Sequence, residues 1–397
     1  MPVVHLIVVV LAVTLITVVL WEVFETMVVP RLISRGFRLT RLYFRTAWRV
    51  WSAIGRRIPL LERRELELAI FGPLALLGML TIWALLLILA FALVLWGLGS
   101  PLADPSTRPA RFGSDLYFSS TTFLTLGLGD VVPHTGLARA IVVIEVATGF
   151  GLLVLVIGYL PTLYQAFSHR EQRISLLDAH AGSPPSASAL LVRHPPDRRS
   201  HQLTLLLGEW EIWSAELLET HLSYPVLAYY RSQHENQSWV AALAIILDTC
   251  TILLACDDGL LGGEELVEQA AFTFAMARHA AVDLDQYFQA PRTRLVAHEG
   301  RLPLDERAQL CDALEKIANA SGASTRVDLN VVGGIFDELR ALYEPYLEGL
   351  AAFLLMDLPP WVPRPDALDD WQTTADDRTA PSIAKLLARR HARRLGV

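Results

Sequence analysis

The chain has 397 residues, 53% of them hydrophobic, and its mean hydropathy is +0.37. A composition this apolar, with only three Cys, excludes a disordered chain, a collagen-like chain and a disulfide scaffold, and it disfavours an ordinary soluble enzyme. The net charge of −7 combines a basic segment, residues 31–64 with ten Arg against one acid, with an acidic region, residues 168–397. Because the basic segment lies between two apolar runs, its charge does not indicate binding to nucleic acid.

Three apolar runs are long enough to cross a bilayer, which takes about 20 residues in a helix. The first, Leu6–Trp21, has no basic residue before it and no small-x-small site after it, so residues 1–30 predict a retained span rather than a cleaved signal peptide. The second and third runs predict spans at 69–98 and 137–167. Since the Arg-rich segment separates the first two runs, we expect the N-terminus outside the cell (inner) membrane and the C-terminal part in the cytoplasm.

The Arg-rich segment predicts an amphipathic helix and linker over residues 31–66. Six of its Arg residues recur at spacings of three and four and therefore share one helical face: Arg31, Arg35, Arg38, Arg41, Arg45 and Arg49. This pattern is typical of a helix on the inner leaflet, with membrane lipid as its partner. A voltage-sensing helix is the disfavoured alternative, because no acid-lined bundle is available to shield six charges in lipid.

A polar stretch rich in glycine separates the second and third spans. Ser114 and Asp115 suit the N-cap and first turn of a short helix over 114–124, and the sequence T-L-G-L-G-D follows at 125–130. Alternating glycines allow successive backbone carbonyls to point the same way, and such carbonyls can replace the hydration shell of a cation. We therefore expect this stretch to re-enter the membrane and line a cation path.

The stretch resembles the pore loop of the potassium-channel superfamily, whose filter sequence is T-V-G-Y-G-D. Over residues 67–168 the arrangement is similar to bacterial two-helix channels, with an outer helix at 69–98, a pore helix at 114–124, an inner helix at 137–167 and an extra N-terminal span. Carried over by position, the ion-binding filter comprises Thr125, Leu126, Gly127, Leu128, Gly129 and Asp130. The resemblance implies that backbone carbonyls of the first four bind K⁺, that no cofactor is needed, and that four identical chains surround a pore for monovalent cations.

The residues that would support the filter depart from the familiar pattern of those channels. The central Tyr of the filter is Leu128 here, two pore-helix Trp positions are Tyr117 and Phe118, and a carboxylate position is Thr121. We therefore expect apolar packing in place of a hydrogen-bonded brace, and weakened discrimination between K⁺ and Na⁺. Glu145, an acid within the third span, is predicted either to brace the filter from behind or to make an ordinary contact with a pore-helix Thr or Ser.

Three residues of the third span are candidates for a gate. Gly149 and Gly151 lie where the superfamily has its inner-helix hinge, and Pro161 would kink the helix farther along. The alternative that the sequence leaves open is close helix packing through small residues.

The remainder of the chain predicts a linker at 169–200 and a helical cytosolic domain at 201–397, which would assemble or gate the pore. The run Trp239–Cys256 is a buried core helix or, less favoured by its Asp248, a fourth span. Thr325–Val332 is the one short strand candidate.

His279 and Asp283, with Asp285 nearby, form either a metal site or a solvated helix face. No nucleophile and base occur in an enzyme-like arrangement, so an enzyme is not predicted. Two classes remain open: a tetrameric cation channel, and a non-conducting membrane-anchored signalling or interaction protein with a pore-like fold.

Overall fold

The computed structural model describes residues 3–29, 39–104, 111–182, 185–194, 199–232, 237–256, 263–289, 302, 304–320 and 333–363. In this part of the chain the regular structure is helical apart from two-residue strands, Leu102–Ala103 (β1) and Val132–Pro133 (β2), which pair antiparallel. The expected all-α membrane architecture is confirmed. The chain divides into two compact units, Met1–Ala166 with Ser223–Tyr230 (unit 1) and Phe167–Leu222 with Arg231–Val397 (unit 2).

Unit 1 is built from three long apolar helices and two shorter ones. The long helices are α1 (Val3–Met27), α3 (Leu61–Gly97) and α5 (Gly136–Ala181), each long and apolar enough to cross a membrane. The residues of α5 from Phe167 onward belong to unit 2. The shorter helices are α2 (Leu39–Gly55) and α4 (Phe112–Phe123). Two of the long helices exceed their predictions, because polar turns extend them beyond the apolar runs.

The extension of α3 changes the position of Pro73. A span that began at residue 69, as predicted, would hold this proline close to its start, but α3 begins at Leu61 and Pro73 lies inside it. The missing N–H leaves the carbonyl of Ala69 without its usual intrahelical donor. The helix continues through this point to Gly97.

The helices α1 and α3 pack closely against each other. The ring of His5 stacks on Trp96 with 5.3 Å between centroids, and a Cβ on Gly97 would meet Val9. Farther along α1, Glu22 is buried and its carboxylate accepts hydrogen bonds from the backbone N–H groups of Leu39 and Thr40, at 3.1 and 3.2 Å. A residue of α1 thus satisfies two donors in the first turn of α2, where an anion is favoured by the helix dipole.

The helix α2 packs antiparallel along the first turns of α3. Trp51 Nε1 donates to the carbonyl of Glu67 (3.0 Å), Trp48 packs on Phe71 (4.9 Å), and Tyr43 Oη donates to the carbonyl of Ala75 (3.0 Å). As the residue numbers of the contacts decrease along α2, those of their partners increase along α3. These contacts fix the register of the two antiparallel helices.

Of the six Arg residues predicted to share a face, half lie on α2 and half outside the described residues. Arg31, Arg35 and Arg38 belong to the latter half. On α2, Arg49 is exposed, and Arg41 and Arg45 are partly exposed. The buried positions of the same helix, Phe44, Trp48, Ser52 and Gly55, form a different face. The amphipathic pattern is therefore real, and its apolar face packs on protein.

A short segment from beyond α5 completes unit 1. The 3-10 helix Pro225–Tyr229 places the ring of Tyr229 among aromatic residues of α2 and α3, 6.1 Å from Phe44, 5.2 Å from Trp48 and 5.2 Å from Phe71. Tyr229 is buried. The sequence assigned this segment to the cytosolic domain, because nothing in its composition distinguishes it from its neighbours.

Unit 2 is helical, as predicted, and the proposed linker at 169–200 is not a linker over most of its length. The helix α5 continues through that region to Ala181, and α6 follows after a short turn. The helices after α5 are α6 (Ala187–Arg193), α7 (Arg199–Ser223), α8 (Trp239–Ala255), α9 (Glu264–Phe288), α10 (Leu304–Ala320), α11 (Gly333–Ala341) and α12 (Glu344–Leu354).

The core of unit 2 is α8. Every residue of this helix except Leu254 is buried, and its Ser238 cap accepts a hydrogen bond from the backbone N–H of Ala241 at 3.0 Å. Tyr343 Oη donates to Asp248 at 2.7 Å, so the one acid of the helix is satisfied. Burial raises the pKa of the Cys250 thiol. This environment supports the core-helix interpretation over a fourth span.

The C-terminal turns of α5 are tied to α7 by polar contacts. Arg173 Nη1 lies 2.7 Å from Glu209 Oε2, and the buried Arg170 Nη1 lies 3.2 Å from His221 Nε2. His221 Nδ1 lies 2.8 Å from the carbonyl of Leu217, which accepts its proton and leaves Nε2 to accept from Arg170. Burial first, and then the charge of Arg170, lower the pKa of His221 well below its usual range.

The candidate metal site is not supported. His279 and Asp283 form an exposed pair at 3.2 Å while Asp285 is buried, and no metal-binding group of three or more such side chains occurs in the described ranges. The strand candidate Thr325–Val332 lies outside those ranges.

Candidate functional site: the pore loop

The pore helix α4 is anchored at its start by polar side chains. It begins at Phe112, two residues before the predicted start, and its N-cap Arg111 makes no side-chain capping bond. Ser114 Oγ donates instead to Asp104 (2.5 Å), and Ser100 Oγ donates to the buried Asp115 (2.6 Å). These bonds fix the first turn of α4 to the connection that follows α3.

The predicted filter has an alternating backbone. The φ angle is +59° at Thr125, +55° at Gly127 and +78° at Gly129, so every second residue is left-handed. Glycine adopts this region freely, whereas a side-chain-bearing residue such as Thr125 does so at a cost of about 1 kcal/mol. This alternation is what carbonyls need in order to point along one side of an extended segment. Leu126 and Leu128 are 61% and 64% exposed in the single chain.

The base of the filter is held by the backbone of α4. The carbonyl of Thr121 accepts hydrogen bonds from the N–H groups of Leu126 (2.8 Å) and Gly127 (3.3 Å). The Thr121 hydroxyl donates to the carbonyl of Phe118 (3.0 Å), and the Phe118 ring is buried in a cluster with Leu95. Two of the predicted support residues therefore act through helix backbone and core packing.

A hydrogen bond supports the outer end, which corrects the expectation of purely apolar support. Tyr117 Oη donates to Asp130 Oδ2 at 2.9 Å. The phenol hydroxyl carries the proton of this pair, and the carboxylate oxygen accepts it. The residue pair is thirteen positions apart, and the sequence carried no signal that they would meet.

Glu145 lies at a junction of three helices. It is fully buried on α5, and its Oε1 makes a short hydrogen bond with Ser119 Oγ on α4. The same hydroxyl oxygen lies 2.8 Å from the carbonyl of Ile88 on α3. Of the two predicted roles, contact with a pore-helix Ser is what the geometry shows, and it places Glu145 against the helix that carries the filter.

The two glycines of the candidate hinge have different surroundings. A Cβ on Gly149 would overlap the carbonyl oxygen of Phe123, the last residue of α4, so this glycine permits close packing at the base of the filter. Gly151 has open space around its Cα and borders a cavity of about 520 Å³ between α1 and α5, which Leu20 and Val154 also line. Pro161 lies inside α5, which continues to Ala181. A hinge or gate at Gly149, Gly151 or Pro161 stays a prediction.

Comparison with known proteins addresses the region from α3 to α5. Residues 79–166 match a sequence family described as "Ion channel". A second match, to the protein named "Putative potassium channel protein RPA4233" of Rhodopseudomonas palustris, has 29% identity over 94 residues, 23% of each chain. These matches confirm the resemblance to the channel superfamily for this part of the chain, and they point to a channel and not to an enzyme.

A longer match is to the protein named "Uncharacterized membrane protein YdjJ" of Bacillus subtilis. The identity is 25% over 186 residues, which is 47% of this chain and 54% of that protein. The chain thus spans about half the length of this relative and about a quarter of the other. No solved structure matches.

Proposed function

With residues 79–166 forming an ion-channel domain, we propose that the protein is a homotetrameric channel that passes K⁺ through the filter at 125–130. The observation that carries this proposal is the alternating backbone at Thr125, Gly127 and Gly129, held at its base by α4 between two long apolar helices. Irregular backbone at membrane depth is tolerated where it lines a water-filled path. Backbone carbonyls in this arrangement supply cation ligands without any cofactor.

The tetramer is supported by what a single chain leaves uncovered. The filter side chains Leu126 and Leu128 are exposed, as are Val143 (68%) and Ile157 (63%) on α5. One pore loop supplies one quarter of a closed ring of carbonyls, so four copies around an axis complete the site. Lipid covers the apolar surface that the copies do not.

The proposed selectivity is for K⁺ with weakened exclusion of Na⁺. Leu128 brings no hydroxyl to hold the middle of the filter, and the Tyr117–Asp130 bond supports only its outer end. The reversal potential of reconstituted protein under opposed K⁺ and Na⁺ gradients tests this. We expect a value between the two equilibrium potentials and nearer that of K⁺; a value at the K⁺ potential would contradict weakened exclusion.

The proposed orientation places the N-terminus outside and unit 2 in the cytoplasm, beneath the cell membrane. The Arg-rich segment 31–64 supports this orientation, because basic loops are retained on the cytoplasmic side. Unit 2 would then assemble or gate the pore. Protease protection of unit 2 in sealed spheroplasts, and its digestion in inverted vesicles, would test the orientation.

Ion flux across the membrane of liposomes that contain the protein distinguishes a channel from a non-conducting membrane anchor with a pore-like fold. We expect K⁺ flux from the native chain and its loss in Gly127→Ala, because an added Cβ strains a backbone at φ +55°. Gly136→Ala is the matched control, since open space surrounds Gly136 and its φ is ordinary. Tetramers should persist in both variants. Flux that survives Gly127→Ala has another source, and native protein without flux supports the anchor.

A further inference from the structure

The hydroxyl group of Ser119 is contacted by two oxygen atoms at once. One is the carbonyl oxygen of Ile88 at 2.8 Å, and the other is Glu145 Oε1. A carbonyl can only accept a hydrogen bond, and an ionised carboxylate can only accept as well. Ser119 has one proton to donate. With an ionised Glu145, therefore, one of these two oxygens would face the Ser119 oxygen with no proton between them.

A neutral carboxylic acid resolves this conflict. Its own O–H donates to Ser119 Oγ, and the Ser119 proton then goes to the carbonyl of Ile88. Each short oxygen–oxygen contact now holds one proton. The chain of donation runs in one direction, from α5 through α4 to α3.

The surroundings of Glu145 favour the same protonation state. The residue is 0% exposed, and its second oxygen, Oε2, is buried with no hydrogen-bond partner. Among the residues that the structure describes, no Arg, Lys or His forms an ion pair with Glu145. A buried carboxylate without a counter-ion and with one hydrogen bond is strongly disfavoured, whereas a neutral acid leaves only a carbonyl oxygen unpaired.

The hydrogen bond between Ser119 and Glu145 is one of two contacts that fix the register of α4 against α5. Ser119 and Phe123 are one turn apart on α4, and their partners Glu145 and Gly149 are one turn apart on α5. The second contact is steric and the first is a hydrogen bond. Since only Leu124 separates the end of α4 from Thr125, these two contacts position the base of the proposed filter relative to α5.

We infer that Glu145 is a neutral carboxylic acid that donates to Ser119, and that it is a positioning residue which ties the pore helix to the inner and outer helices. Only its effect on ion passage rests on the proposed channel function. The protonation state and the mechanical tie do not depend on conduction.

The decisive measurement is infrared spectroscopy of the full-length protein, comparing the native chain with Glu145→Gln. The amide of Gln retains a donor for Ser119 and carries no ionisable proton. We expect the difference spectrum to contain the C=O stretch of a protonated carboxylic acid, with no change in the carboxylate bands. Glu209→Gln, at a 58% exposed side chain that pairs with Arg173, is the control and should remove carboxylate signal. A lost carboxylate band in Glu145→Gln would overturn the inference.

Function and stability give the second test. Glu145→Gln should keep its unfolding temperature, and its flux should stay within roughly twofold of the native rate, while Glu145→Leu and Ser119→Ala should lower flux about tenfold or more. A Glu145→Gln variant as damaged as Glu145→Leu, or unable to fold, would show that the charge is needed and would overturn the inference. If the native chain does not conduct, the infrared and unfolding results still decide the protonation state.

Discussion

Two helices of similar apolar character, α1 and α8, are covered in opposite ways. Within α8 sixteen of the seventeen residues are buried by other helices of unit 2. Within the 25 residues of α1, the buried ones are Ala12, Val19, Glu22, Val23 and Glu25, and most apolar side chains face outward. An apolar run therefore does not by itself identify a membrane helix. What distinguishes the two is whether the chain supplies the apolar partners or leaves them to lipid.

The largest effect that would sharpen this comparison comes from shortening a leucine in each helix. Leu247→Ala in α8 removes a side chain that is 0% exposed and should cost about 2–5 kcal/mol of unfolding free energy. Leu11→Ala in α1, at a side chain 63% exposed, should cost less than about 0.5 kcal/mol. Denaturant unfolding in detergent, followed by tryptophan fluorescence, measures both. Equal losses would mean that α1 is also packed against protein.

The second test compares a closely packed position with an open one again, this time at two glycines of α5. Gly149→Ala should push α5 away from the Phe123 carbonyl, cost about 1–3 kcal/mol and reduce flux. Gly151→Ala adds the same methyl group in open space and should be nearly neutral. Thermal unfolding and flux of the two variants are the measurements. A damaging Gly151→Ala with a silent Gly149→Ala would favour a hinge over close packing.

A smaller effect tests burial inside unit 2 through pH. Folded protein holds His221 neutral, because burial and Arg170 lower its pKa, whereas in the unfolded chain it takes up a proton near pH 6.5. The unfolded state therefore binds more protons below that pH, and stability should fall by up to about 1.4 kcal/mol per pH unit as pH decreases.

The slope is tested by measuring the unfolding free energy from pH 7.5 to pH 5 for the native chain and for a variant that lacks His221. We expect His221→Gln to flatten it, because the amide oxygen still accepts from Arg170 and does not titrate. His279→Gln, at an exposed histidine, should leave the slope as it is. An unchanged slope in His221→Gln would assign the pH dependence to other groups.

The smallest expected effect concerns the exposed outer end of the filter. Tyr117→Phe deletes the donor to Asp130 and should raise relative Na⁺ permeability by a factor of roughly two to ten while K⁺ flux continues. The reversal potential under opposed gradients is the readout. Tyr287→Phe in unit 2 serves as a matched control, and an equal shift there would show that the effect is not local.

The parts of the fold that depend on local composition were predictable from sequence. The three long helices follow from their apolar runs, and α4 follows from Ser114 and Asp115, whereas the assignment of T-L-G-L-G-D as a filter stays a prediction. Helix ends were less predictable, since the polar turns before Ala69 and after Phe167 continue their helices without an apolar signal. Burial of α8 could be argued only from Asp248 and length, because coverage depends on helices distant in sequence.

Within the site, the residue types were predictable, and the contacts between them were predictable only in part. Gly149 and Gly151 lie within one turn of α5 but on different sides of the helix, and of the two only Gly149 would bring an added Cβ against a carbonyl oxygen. Contact of Glu145 with a pore-helix Thr or Ser was one of two predicted roles, but packing selects Ser119 as the partner, and Tyr117 meets Asp130 without any prediction. Such pairings arise from three-dimensional packing, which no spacing in the chain encodes.

The return of residues 223–230 to unit 1 has a mechanical consequence. The chain leaves unit 1 after Ala166, comes back at Ser223 and leaves again after Tyr230. The polypeptide between the first two crossings, residues 167–222, is therefore continuous with unit 1 at both ends, with α5 at one end and with the segment that places Tyr229 among the rings of α2 and α3 at the other. Unit 2 is therefore joined to unit 1 by three covalent connections, and cutting the polypeptide at any one of them leaves the other two intact.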